Sequence, residues 1–248
     1  MVTEFLGIIP ARYASSRFPG KPLALLGEKP MIQWVYERAS NLFEHLVVAT
    51  DDDRILNTVI DFGGKALKTK SDHNTGTERC AEALDLYRIR TGLTFSHVVN
   101  IQGDEPLIQT GQLQTLMDCF HLPGTGIATL IRKITQEEEP QNPNLVKVVV
   151  DKSLKALYFS RALIPYIRGQ KPEGFSYYAH LGLYAYRSDV LEKVVKLPVS
   201  ALEQSEMLEQ LRWLEHDITI QTDITDLPSF GVDTPEDLER IAREGHFE

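Results

Sequence analysis

Apolar and polar positions along the chain follow two rhythms. Leu6-Gly7-Ile8-Ile9 is an unbroken apolar run that predicts a buried first strand. Pro10 is expected to end it, because proline lacks the N–H that a central ladder needs. After a turn at Gly27-Glu28-Lys29-Pro30, Met31, Val35, Ala39 and Leu42 recur at helical spacing. Residues 45–50 (HLVVAT) predict a second buried strand, 55–62 a helix stopped by Gly63-Gly64, and 65–67 a short strand. A polar loop over 71–77 leads into a helix over 78–91, a strand over 97–101 (HVVNI) and a helix over 112–120. This regular strand–helix alternation predicts a doubly wound α/β fold built on a mostly parallel sheet.

The rhythm changes after residue 125. Residues 125–134, 146–150, 156–159 and 178–186 predict strands with no long helices between them, which reads as an antiparallel extension. Ser200-Ala201-Leu202-Glu203 fits a capping box opening one helix, with Met207, Leu208, Leu211 and Leu214 on its apolar face. A short strand follows at 218–221. Thr234-Pro235 then caps and opens a last helix, with proline in its first turn.

A length of 248 residues supports one large core, with no repeat or linker, so residues 1–248 are expected to form a single domain. The net charge of −9 argues against a general nucleic-acid surface. The two cysteines, Cys80 and Cys119, lack metal-motif spacing and read as reduced thiols. Met1-Val2-Thr3-Glu4 carries no basic stretch before the apolar run, which speaks against a secretory signal, and no apolar run reaches membrane-spanning length. A cytoplasmic enzyme without membrane or nucleic-acid partners fits this balance, and a binding protein fits it too.

Against the acidic background, the loop after the first strand stands out. It carries Arg12, Arg17 and Lys21, and open α/β sheets bind ligands beyond the carboxyl ends of their strands. A solvated basic loop is the competing reading. Gly20-Lys21 is followed by Pro22, so the loop is no Walker motif, and a single glycine excludes the dinucleotide fingerprint. Phosphates here would be held by side-chain cations. The strand ending Asn100-Ile101-Gln102-Gly103-Asp104-Glu105-Pro106 delivers polar groups to the same strand ends, with Gly103 permitting close backbone approach. Gly231-Val232-Asp233-Thr234-Pro235 offers a second carboxylate, since Thr234 already fits the cap and leaves Asp233 for a metal ion; membership of Asp233 in the cap is the plainer alternative. A carboxylate-held Mg²⁺ bridging to phosphate oxygens is the chemistry that joins these parts.

Together these stretches resemble the cytidylyltransferases that activate acidic 2-keto sugars, and most closely those acting on 3-deoxy-manno-octulosonate (Kdo). The resemblance is carried by IPARYASSR (9–17) with PGKP (19–22), VATD (48–51), GTER (76–79), NIQGDEP (100–106), YFSR (158–161), HLGLY (180–184), LE (202–203) with EMLEQLR (206–212), and GVDTPEDL (231–238). It implies a Rossmann-like fold of the nucleotide-diphospho-sugar transferase type, with the extension at about 125–200 forming the sugar wall and the contact of a homodimer. It implies CMP transfer from CTP to Kdo with release of pyrophosphate, for bacterial lipopolysaccharide synthesis, with Mg²⁺ as cofactor. Arg12 and Lys21 would grip the phosphates. Asp104 and Asp233 would hold the metal. Pro10, Ala11 and the 72–77 loop would take the nucleotide, alongside Gln102 and Asp104. Arg79, Gln102, His180, Tyr184 and Glu209 would line the sugar site, with Glu206 as a substitute for Glu209 one turn away. Each sugar-site residue has a plainer reading: a core histidine, a sheet-wall tyrosine, or an Arg79–Glu82 surface pair. Related acidic sugars (8-amino-Kdo, sialic acid) and a non-catalytic nucleotide-binding role are the alternatives. The loop at 169–176 departs from the family pattern.

Overall fold

The computed structural model describes residues 2–14, 17–135 and 138–244; Ser15 and Ser16 of the cation-bearing loop lie outside the described residues. The chain divides into two compact units, Met1–Gln114 with Leu227–Glu248, and Thr115–Asp226.

The first unit runs β1 (Val2–Ala11), β2 (Leu25–Leu26), β3 (Lys29–Pro30), α1 (Met31–Ser40), β4 (Leu46–Thr50), α2 (Asp53–Asp61), β5 (Ala66–Lys68), α3 (Gly76–Thr91) and β6 (Thr94–Asn100), and leads into α4 (Thr110–Asp118). Its sheet has the order β6-β1-β4-β5, all parallel. Leu6, Ile8, Ile9, Val48, Val98 and Val99 are fully buried, as strands covered on both faces require. The α/β class and the mostly parallel sheet thus match the sequence pattern. Helix starts fall earlier than the apolar periodicity suggests. Asp52 accepts from Arg54 N (2.9 Å) and Thr75 from Glu78 N (3.2 Å), so caps, not buried faces, set these ends. α2 stops where expected, with Gly63 at φ 83°.

Pro10 does not end β1. Its register with β4 continues through Pro10↔Ala49 and Ala11↔Thr50. Alternate residues of β1 address alternate neighbours: Gly7 N donates to His45 O before β4, whereas Ile8 O accepts from Ile101 N beyond β6. Pro10 shares the side of Ile8, where the β6 ladder has finished at Asn100. The missing N–H therefore costs no ladder bond.

The second unit contains β7 (Ile127–Lys133), β8 (Lys147–Val150), β9 (Ala156–Ser160), β10 (Tyr178–Arg187), α5 (Ser188–Val194), α6 (Ala201–Glu206), α7 (Gln210–Glu215) and β11 (Ile220–Ile224). β7, β8, β9 and β10 pair antiparallel, and β11 runs parallel to β7. Two expectations are corrected here. The short helix α5 follows β10 directly, although the sequence pattern gave no helix there. The helix expected from Ser200 onward is two helices, broken at Met207, which adopts φ 52° and is 76% exposed instead of facing the core. The Ser200–Glu203 capping box is present. However, Glu206 O, which a continuous helix would bond to the N–H four residues on, accepts from Arg161 Nε at 2.7 Å. Arg212 pairs twice with Glu203 at 2.6 Å across the break.

The last helix, α8 (Pro235–Glu244), belongs to the first unit. Ile241 of α8 and Val232 before it join Leu26, Met31 and Trp34 in one buried cluster, with Phe18, Leu107, Phe230 and Leu238 against it. This packing fixes the 231–234 segment beside the loop that follows β1. Ile241→Ala should lower unfolding free energy by about 2–4 kcal/mol in urea titration, the cost of lost burial plus cavity. A change under about 0.5 kcal/mol, the range of a surface substitution, would mean that α8 does not close this core.

Candidate active site

A cavity of about 280 Å³ opens in the first unit. Pro10 and Ala11 at the end of β1 line it, as do Arg12, Arg17 and Lys21 of the following loop. His73, Asn74 and Thr75 lead from its wall into Gly76 and Arg79 of α3, and Gln102, Gly103, Asp104 and Asp233 complete it. Gly103 has the close approach expected of it: a Cβ there would lie 3.0 Å from the Pro10 carbonyl oxygen.

Lys21 is the centre of this wall. Its Nζ donates to Asp104 Oδ2 at 2.6 Å and to Val232 O at 2.7 Å, and lies 3.6 Å from Asp233 Oδ1. Arg17 adds a 3.1 Å contact to Asp233 Oδ1. The two carboxylates singled out in the sequence therefore converge on one ammonium, from segments far apart in the chain. Thr234 is the cap, accepting from Asp237 N at 3.2 Å, so Asp233 is left to the cavity. Among the described residues no group of three or more histidine, cysteine or carboxylate side chains is placed to hold a metal ion by itself. Two carboxylates completed by phosphate oxygens and water form the donor set that suits Mg²⁺.

Arg79 is buried, not a surface partner of Glu82. Its Nη1 donates to Thr69 Oγ1 and, at 3.2 Å, to Lys70 O, and lies 3.3 Å from Asp51 Oδ1. Glu82 instead binds His73 and accepts from Lys70 N at 2.9 Å, which holds the polar loop. That hydrogen-bonded pairing outweighs burial and keeps the Glu82 carboxyl below its usual range. Next to Asp104, Glu105 is pushed up to about 7, by burial first and then by the Asp104 charge, while Ser229 donates to it at 2.9 Å.

His180, Tyr184, Glu206 and Glu209 lie in the second unit. His180 and Tyr184 stay neighbours (ring centroids 5.2 Å apart) across a bulge that shifts the register between Leu181 and Tyr184. His180 Nε2 meets Thr129 Oγ1 at 3.0 Å, and Phe159 packs edge-on against the imidazole. Burial pushes this imidazole down to about 3. Burial, then the Glu209 charge, pushes the Tyr184 phenol well above its usual value. Glu206 is engaged elsewhere: Ser160 Oγ donates to Oε1 at 2.6 Å and Arg161 N to Oε2 at 2.8 Å. Sequence reasoning passed over Gln210 and Trp213, which lie off the apolar face expected for that helix. The Tyr184 hydroxyl, Gln210 Nε2 and Trp213 Nε1 are buried without a hydrogen-bond partner among the described residues. Tyr184 and Trp213 pack edge to face at 5.2 Å.

The His180 shift carries a stability signature. A histidine held neutral in the fold favours the native state above its unfolded pKa of about 6.5, and the gain is lost as pH falls toward its folded value. Wild-type protein should lose up to about 2 kcal/mol between pH 7 and pH 5 from this group, and His180→Gln should remove that slope. Urea melts of both proteins across this range are the check. Identical slopes would mean that the imidazole is not held neutral.

Comparison with known proteins follows the same lines. The sequence profile of a family described as cytidylyltransferase matches residues 6–221. A 3-deoxy-manno-octulosonate cytidylyltransferase of Phocaeicola vulgatus is 51% identical over 244 residues, 96% of this chain and 95% of the relative. One of Thermodesulfovibrio yellowstonii is 51% identical over 241 residues, 94% of each chain. A solved CMP:2-keto-3-deoxy-manno-octonic acid synthetase complexed with CTP superposes with a TM-score of 0.89 at 43% identity, covering 98% of both chains. With this identity sustained along nearly its whole length, the chain belongs to the 3-deoxy-manno-octulosonate cytidylyltransferase family.

Proposed function

We propose that the protein transfers CMP from CTP to the anomeric hydroxyl of Kdo and releases pyrophosphate. The observation that carries this reading is the convergence of Asp104, Asp233 and Lys21 on the wall of a cavity that also presents Arg12 and Arg17. The anomeric oxygen bonds to the α-phosphorus as the bond to pyrophosphate breaks, and the hydroxyl proton leaves to solvent. Both substrates are anions, so the protein's work is to offset repulsion and hold the in-line geometry. Arg12, Arg17 and Lys21 hold phosphate oxygens as charge builds on the leaving pyrophosphate. Asp104 and Asp233 are the residues that would hold Mg²⁺, which when bound neutralises phosphate charge.

Pro10, Ala11 and the 72–77 loop seat the base. Arg79 and Gln102 take the sugar carboxylate, through the planar fork that arginine presents to carboxylates. His180, Tyr184 and Glu209 bond the sugar hydroxyls, joined by Gln210 and Trp213, whose buried donors a polyhydroxylated acid would satisfy. Both carboxylate oxygens of Glu206, the substitute for Glu209, are held by Ser160 and Arg161. The apolar positions Leu157, Tyr166 and Met207, exposed on the second unit, are those a homodimer contact would cover. Cys80 and Cys119 are buried and form no disulfide, in keeping with a cytoplasmic setting, and no helix among the described residues is long and apolar enough to cross a membrane.

Pyrophosphate release with CTP across Kdo, 8-amino-Kdo and sialic acid tests the reaction. Turnover is expected with Kdo and not with sialic acid, and ATP or GTP should not replace CTP. No release from CTP with any acidic sugar would leave a nucleotide-binding protein without this chemistry. Asp104→Asn and Asp233→Asn should each lower turnover by about 100-fold or more, and calorimetry should show that Mg²⁺ no longer strengthens CTP binding. Near-normal turnover in a folded Asp104→Asn protein would end the metal assignment.

A further inference from the structure

We propose that the side-chain amide of Asn100 reads the amino-bearing edge of the cytosine base, over a Gly76 kept bare to admit it; this rests on the cavity being a CTP site. Asn100 closes β6 directly after the buried Val98 and Val99 and is only 3% exposed. Its Oδ1 is buried and has no hydrogen-bond partner among the described residues. A buried amide oxygen left unbonded is costly, so it calls for a group that completes it.

The surroundings say where that group enters. A Cβ placed on Gly76 would lie 3.5 Å from Pro10 Cγ and 3.6 Å from Asn100 Nδ2. Pro10, Gly76 and the Asn100 amide thus border one gap, and Pro10 and Gly76 line the cavity. These are ordinary contact distances, and Gly76 does not adopt a positive φ. The protein's own packing therefore has room for a methyl here and does not itself demand glycine. Cytosine presents an amino donor beside the N3 acceptor. A carboxamide presents an acceptor beside a donor at matching separation, so the two pair through two hydrogen bonds.

The test uses the triphosphate of 2-pyrimidinone riboside, which is CTP without the 4-amino group. Wild-type enzyme should prefer CTP in kcat/KM by about tenfold or more. Asn100→Leu should bring the two nucleotides to near parity, a loss of discrimination that a structural role alone would not produce. Gly76→Ala, which fits without displacing protein atoms, should keep its melting temperature and raise the CTP KM by about tenfold. Wild-type parity between the nucleotides, a preference surviving in Asn100→Leu, or an unchanged CTP KM in Gly76→Ala would each overturn the proposal. Should Asn100→Leu fail to fold, Gly76→Ala decides. Absence of CTP turnover in the wild type would sink the CTP reading itself, and is seen before any variant is made.

Discussion

One ammonium holds the cavity wall together. Lys21 has three N–H donors and spends them on Asp104, on Val232 O and toward Asp233, joining segments separated by 83 and 211 residues in the chain. Without a cation between them, two carboxylates turned to one cavity would repel. The same arrangement stays open to exchange. Asp104 and Asp233 keep 33% and 52% of their side-chain surface exposed, so their ion pairs are screened and weak. A phosphate that draws Lys21 toward itself leaves the carboxylates for another cation at little cost. A fully buried pair would resist that exchange, since each ion would be stranded in low dielectric.

The position of the node depends on less polar forces. Val232 N donates to Asp104 O at 2.9 Å, and Val232 O accepts from Lys21, so one residue's backbone fixes both neighbours. Its side chain is buried with Ile241, Trp34, Met31 and Leu26. Trp34 Nε1 in turn donates to Leu26 O at 2.8 Å, setting the hairpin that follows Lys21. Packing brings the segments together, and the charges then have few geometries left to choose from.

What the sequence made legible follows from range. Strands buried on both faces announce themselves as apolar runs, and Leu6–Ile9, 46–50 and 97–100 all lie in the parallel sheet. Short-range caps at Ser200 and Thr234 are written in neighbouring residues, whereas the Thr75 cap, which starts α3 two residues before the expected helix, was not read from them. The other misses have partners far away in the chain. Nothing near Pro10 says that β6 has ended on its open side. Nothing near Met207 says that Arg161, some 45 residues earlier, takes the carbonyl that a helix would need. Helical spacing offers Glu206 as a substitute for Glu209, and nothing near Glu206 says that Ser160 and Arg161 take both of its carboxylate oxygens. The cation loop and both aspartates could be named from residue type, but their shared lysine contact is a property of the fold.

Burial sorts the remaining polar groups by task. Lys147 is wholly enclosed, yet it donates to Asn142 O and Arg161 O, and desolvation lowers its pKa without leaving it unbonded. Arg212 is equally enclosed and is answered by Glu203 and by Leu197 O. Such groups are structural, because the fold itself completes them. Asn100, Tyr184, Gln210 and Trp213 are as deeply buried and carry atoms that nothing in the described fold completes. Native interiors tolerate few such atoms, since each forfeits its hydration with no bond in return. Under the proposed function these open groups are the ones that a bound nucleotide and sugar would complete, while Lys147 and Arg212 serve packing alone.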